Sequence, residues 1–189
     1  MIEYLSGKLA SLTAANATID CGGVGYLLEI TLTTYSAIQG QAEARLWVHE
    51  VIREDAYQLY GFHTTAERDM FRLLLGVGGV GAATARVMLS SLSVDELAAA
   101  IAAQDAAPLK RVKGIGAKTA QRIVLELQDK VSGAGAAIAP TIPVSRNKEE
   151  ALSALVMLGF PRAAADKVLQ TLDASLSVEE LIKQALQKL

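Results

Sequence analysis

The sequence predicts an α+β multidomain fold: an N-terminal β-barrel, a central all-α domain and a small C-terminal three-helix domain. Three features carry this. Residues 1–63 read as short β-branched and aromatic runs, the hydrophobic period turns helical from Thr64, and an uncharged Gly/Ala/Pro stretch around residue 140 precedes a last helical piece. With 189 residues and 51% hydrophobic content, the chain suits one large domain or two to three small ones. It holds one Trp, three Phe and five Tyr, so tightly packed alanine-rich helices are expected rather than a thick aromatic core.

The strand-like runs are Met1–Leu9, Ala17–Cys21, Val24–Ile30, Ala44–Ile52 and Ala56–Phe62, with the turn formers Asn16 and Gly22-Gly23 separating several of them. The acidic pair Glu54-Asp55 falls between the last two and fits a hairpin tip. Five short strands within residues 1–63 suggest a closed barrel of the OB type.

From Thr64 the pattern is helical, and residues 64–131 form the central domain. Thr64 with Glu67 and Ser93 with Glu96 have capping-box spacing, and Met70, Leu73, Leu74, Leu97 and Ile101 fall on helical faces. Residues 132–146, with Gly133, Gly135, Pro140 and Pro143, read as a flexible linker. Residues 147–189 carry helical patterns over Lys148–Leu158, Arg162–Leu172 and Val178–Leu189, with Asn147 and Ser177 as expected N-caps. About forty residues is marginal for an independent core, so this piece reads as a tethered docking module.

Composition excludes several classes. Cys21 is the one cysteine and His49 and His63 are the only histidines, so no disulfide, metal site or cofactor is expected. Met1-Ile2-Glu3-Tyr4 opens no secretory signal and no apolar run reaches a membrane span, so a soluble cytoplasmic protein is expected. The net charge of −2 hides an asymmetry: residues 1–63 sum to −4 and residues 106–130 to +4. Such a split directs a polyanion to one face and away from another.

The most informative feature is an internal duplication. Gly79-Val80-Gly81-Ala82-Ala83-Thr84-Ala85 matches Gly114-Ile115-Gly116-Ala117-Lys118-Thr119-Ala120 at five of seven positions. Each copy lies between apolar helical stretches, which is the helix-hairpin-helix pattern. Paired glycines turn the backbone tightly and leave no Cβ to obstruct a phosphate oxygen. The N–H groups that open the following helix lack an intrahelical partner and favour an anion. Val80 and Ile115 anchor the turns, while Thr84, Thr119, Lys118 and Arg122 supply side-chain donors. Such contacts read the backbone and not the bases.

Two lookalikes fail on context. Gly76-Val77-Gly78-Gly79-Val80-Gly81 fits Gly-x-Gly-x-x-Gly but follows a helical stretch and not a strand. Gly116-Ala117-Lys118-Thr119 resembles the end of a Walker A loop, yet Ala117 and Val112 stand where that loop needs glycine.

The whole chain resembles the RuvA family. The residues that carry the likeness are Gly22-Gly23-Val24-Gly25-Tyr26, Arg53-Glu54-Asp55, Leu59-Tyr60-Gly61-Phe62, the two glycine hairpins, the linker and the C-terminal helices. The resemblance implies a non-catalytic subunit, a homotetramer, alone or as two tetramers, that holds four-way (Holliday) junction DNA open in recombination and repair. Glu54 and Asp55 match the family's acidic pin near the centre of the tetramer. The C-terminal piece, UBA-like in outline, is implied to dock on RuvB, the hexameric ATPase motor, through Leu155, Leu158, Gly159 and Phe160. RuvC resolvase is a further implied partner. Ala83 and Ala117 depart from the family by replacing frequent basic residues.

Two other classes share features. Helix-hairpin-helix DNA glycosylases use the same turn, but their catalytic Asp follows a Pro-containing segment after the hairpin helix, and here Asp129 comes too soon with no Pro before it. A protein-interaction adaptor would use the barrel and the last helices without needing DNA.

Overall fold

The structure, a computed structural model, describes residues 1–134, 143–173 and 176–189, with side chains described for 1–131, 147–173 and 176–189. Five strands, β1 (Tyr4–Leu12), β2 (Asn16–Asp20), β3 (Gly25–Ile30), β4 (Glu43–Ile52) and β5 (Tyr57–Phe62), close into a barrel in the order β1-β2-β3-β5-β4. All pairs are antiparallel except β3 with β5. Closure depends on β1, whose first half pairs with β4 and whose second half pairs with β2. The change of partner falls at Lys8, and the half paired with β2 carries a bulge between Leu9 and Ser11. Gly7, just before that change, lets the end of β2 come close, because a Cβ there would lie 2.1 Å from the carbonyl oxygen of Asp20. Leu5, Ile19, Leu28, Ile30, Leu46 and Val48 fill the interior.

The barrel is as expected, with one element added. Helix α1 (Leu32–Ile38) lies between β3 and β4 and buries Thr34 and Ile38. Two turns are too short to display a helical period, and its Thr pair reads as strand in isolation. Thr31 starts the helix by accepting the N–H of Thr34.

Helices α2 (Thr65–Leu75), α3 (Ala82–Ser91), α4 (Val94–Ala102), α5 (Ala107–Lys110) and α6 (Ala117–Ala134) follow. Their core includes Phe71, Leu74, Met88, Leu97, Ile101 and Leu127, and it takes in Tyr60 and Phe62 from the barrel. The Phe62 and Phe71 rings sit 4.8 Å apart. Packing therefore runs unbroken across the expected boundary at residues 63 and 64, and Met1–Gly135 forms one compact unit. The capping boxes differ from each other. Ser93 and Glu96 form a complete box. Thr64 accepts the N–H of Glu67, but the Glu67 carboxylate turns away into the barrel joint.

The second unit, Ala136–Leu189, contains α7 (Pro143–Met157), α8 (Arg162–Gln170) and α9 (Val178–Leu186) around Ala151, Leu155, Leu169 and Leu181. Ser177 caps α9 in a full capping box, as expected. Asn147 is no N-cap: α7 begins four residues earlier, and the Asn147 amide donates to the Leu176 carbonyl at 3.1 Å. The linker expected over 132–146 is shortened at both ends, since 132–134 belong to α6 and 143–146 to α7. Its remainder, residues 135–142, lies outside the described residues.

Candidate nucleic-acid interface

The duplicated segments adopt one backbone design twice. In the first, Val77 donates to the Leu74 carbonyl at 3.1 Å and Val80 to the Val77 carbonyl at 3.0 Å. In the second, Val112 donates to Leu109 and Ile115 to Val112, both at 3.1 Å. Gly79 and Gly114 each take φ +91°, the left-handed region that glycine enters without a Cβ penalty. Val77 and Val80 are 2% and 6% exposed, and Val112 and Ile115 are 4% and 6% exposed, so each turn is pinned from beneath by two apolar side chains.

Above these anchors, each hairpin helix begins on a glycine. Gly81 and Gly116 open α3 and α6 and accept the N–H of Ala85 and Ala120, each at 2.9 Å. Among the described residues, no acceptor takes the N–H groups of Gly81, Ala82, Ala83 and Thr84, nor those of Gly116, Ala117, Lys118 and Thr119. Elsewhere Thr31, Thr64, Ser93 and Ser177 supply a hydroxyl acceptor to their helices. Gly81 and Gly116 have none to supply, and a Cβ built at either would meet nothing within 4 Å. Each hairpin thus presents unclaimed amides at the positive end of a helix dipole, with no side chain over them.

The expected site residues divide accordingly. Gly79, Gly81, Ala83, Gly114, Gly116, Ala117 and Lys118 are exposed, and Thr84 and Thr119 are half-buried. Val80, Ala82 and Ile115 are buried, so their side chains hold the turn and cannot touch a ligand. Arg122 has a second task that the sequence did not disclose. From α6 its guanidinium donates to the Gly78 carbonyl at 2.9 Å and so links the second hairpin's helix to the first hairpin's turn. It also lies 3.8 Å from Glu126.

Charge is unequal between the copies. Lys110, Arg111, Lys113 and Lys118 are all exposed around the second turn. Near the first, Arg86 is committed to Glu29 at 2.9 Å and Arg72 pairs with Asp69 at 3.6 Å. Lys110, Arg111 and Lys113 were visible only as regional charge, because the repeat does not extend to them.

Glu54 and Asp55 form the tip of the β4–β5 hairpin, closed by the Arg53 N–H on the Ala56 carbonyl at 2.8 Å. Both are exposed, and neither has an ion-pair partner among the described residues. At the base of this hairpin, the Tyr57 hydroxyl donates to Glu50 at 2.7 Å and holds that carboxyl below its usual range.

In the second unit the expected docking set separates. Leu155 is fully buried in the helical core, which corrects its assignment as a contact residue. Phe160 is partly buried against the same core. Gly159, at φ +98°, closes α7: its N–H reaches the Val156 carbonyl and that of Phe160 reaches Leu155. Leu158 is 62% exposed, and Met157, absent from the expected set, is 88% exposed. Helical phase alone did not separate the inner from the outer side of this last turn.

Among the described residues, no group of three or more His, Cys, Asp or Glu is placed to hold a metal ion, and no helix is long and apolar enough to cross a membrane.

Three family models match the chain: RuvA N terminal domain over residues 1–61, SAM-like Helix-hairpin-helix tandem over 71–129, and RuvA, C-terminal domain over 146–189. Among similar curated proteins are those named Holliday junction branch migration complex subunit RuvA from Bacteroides fragilis (46% identical), Bacteroides thetaiotaomicron (47%) and Christiangramia forsetii (45%). Each alignment covers 100% of both chains. Likeness of this extent, running through barrel, paired hairpins and C-terminal helices alike, makes the chain a member of the RuvA family.

Proposed function

We propose that this protein is the non-catalytic DNA-binding subunit of a branch-migration complex, recognising four-way junction DNA by its backbone and its shape. The observation that carries the proposal is the pair of hairpin helices whose first amides have neither a side-chain nor a backbone acceptor. Phosphate oxygens complete those amides, and the helix dipoles favour the negative charge. Lys118, Lys110, Arg111 and Lys113 add long-range attraction beside the second hairpin, while the first works chiefly through peptide groups.

Four subunits around a crossover would bring four copies of Glu54 and Asp55 to the centre. Carboxylates there repel the phosphates of exchanging strands and keep the arms apart. ATP hydrolysis belongs in this reading to a separate motor, RuvB, engaged by the C-terminal unit through Leu158, its neighbour Met157 and the Gly159 turn, with RuvC resolvase as a further partner. None of these contacts distinguishes one base from another, so binding is independent of sequence.

The test is a gel-shift titration of the full chain against a four-way junction and a linear duplex of the same sequence, at rising salt. Junction complexes should persist at salt concentrations that release the duplex, and shuffling the sequence should leave both curves in place. Equal affinity for the two DNAs across the titration would overturn the reading.

A further inference from the structure

The hairpins and the acidic tip are carried by different parts of the first unit. Glu54 and Asp55 follow β4, which continues the barrel from α1, and the first hairpin follows α2. Side chains join these two routes at several places, Arg72 to the Val48 carbonyl and Thr33 to the Leu89 carbonyl among them, and one of the joints is a buried carboxylate. Glu67, on the first turn of α2, is 2% exposed, and its two carboxylate oxygens accept the hydroxyls of Thr31 and Thr34 on the barrel side.

Those hydroxyls are already engaged locally. Thr31 Oγ1 accepts the Thr34 N–H at 3.0 Å and starts α1, while Thr34 Oγ1 accepts the His63 N–H at 2.9 Å. Thr64 Oγ1 accepts the Glu67 N–H at 3.1 Å and starts α2. A single buried carboxylate therefore fastens the opening turns of two helices to each other. Two outer contacts flank it: Arg86 with Glu29, and Arg68 with Glu3. Arg68 is buried too but pairs with the exposed Glu3, whereas Glu67 and both of its threonine partners are buried, and none of the phosphate-binding or repulsive groups uses it.

We propose that Glu67 is the positioning residue that sets the angle between the acidic tip and the paired hairpins, and thereby the preference for four-way over linear DNA. The inference rests on the reading of function given above. Leverage is the physical reason. A helix of 11 residues is about 16 Å long, so a tilt of roughly 10° at its start moves its end by about 3 Å, a full hydrogen-bond length. A linear duplex tolerates such a shift, because it engages the hairpins without the tip. A junction does not, because its arms must satisfy the hairpins while its crossover meets the carboxylates.

The experiment compares the full-length wild type with Glu67→Gln, Thr34→Val and the conservative Thr34→Ser. Affinity for junction and duplex is measured by fluorescence anisotropy, and arm geometry by energy transfer between dyes on adjacent arms. Thr34→Val provides an independent reading should Glu67→Gln not fold, and helical circular dichroism identifies the folded variants. Duplex affinity should stay within about twofold in Glu67→Gln and Thr34→Val, with junction affinity falling tenfold or more and the arm distances changed. Thr34→Ser should behave as wild type. Folded variants that keep the junction preference and arm distances, or that lose both affinities in parallel, would overturn the assignment. A wild type with no junction preference would instead overturn the underlying function.

Discussion

At Gly81 and Gly116 an added side chain would enter open space, and neither residue is among those with positive φ, so stability does not demand glycine there. Serine is a better helix starter, but its hydroxyl would take the N–H of the second or third helical residue, which here means Ala83 or Thr84 and Lys118 or Thr119. Gly81→Ser with Gly116→Ser should therefore change stability by only a few tenths of a kcal/mol per site, with a melting temperature at or slightly above wild type. Junction affinity should fall at least tenfold, as read by gel shift. Gly79 and Gly114 differ, since φ +91° makes alanine there cost about 1–2 kcal/mol in strain. All four glycines are legible from the duplication alone, because the repeat aligns them pair by pair. The bond from Arg122 to the Gly78 carbonyl is not, because the two residues are 44 positions apart and meet only through packing.

At the level of helices, the serine-led starts are legible from spacing, while the start of α7 and the burial within each helix are not. Ser93 with Glu96 and Ser177 with Glu180 close as full boxes, since spacing alone brings the groups together. Thr64 with Glu67 has the same spacing, but two buried threonine hydroxyls claim the carboxylate. Helix α1 escaped detection because two turns display no period, and Leu155 and Leu158 were grouped because burial within one helical turn depends on neighbours distant in sequence. Hydrogen bonds from Ser93 hold the Glu96 carboxyl below its ordinary value. A carboxyl depressed in the folded state stabilises above the unfolded pKa, and that contribution disappears as pH falls through the folded value. Ser93→Ala should cost about 1 kcal/mol near neutral pH. The deficit should shrink in acid, once Glu96 is protonated, when thermal melts at neutral and acidic pH are compared.

For the whole molecule, the net charge of −2 conceals a division of labour. Residues 106–130 carry the excess of cations and the second hairpin, while the barrel carries the excess of anions and the exposed Glu54-Asp55 tip. With this charge the tip should repel DNA rather than bind it. Glu54→Gln with Asp55→Asn should bind junctions at least as tightly as wild type and alter motor-driven branch migration in a strand-exchange assay. A clear loss of junction affinity would show that the tip binds instead. The hairpin amides, on which recognition of the phosphates depends, are read most directly by hydrogen–deuterium exchange with mass spectrometry. In the free protein, the segments 81–84 and 116–119 should exchange quickly, having no internal acceptor at the helix starts. Four-way junction DNA should slow both segments together. Exchange that stays fast in both while the junction is bound would contradict the claim that these amides hold the phosphates.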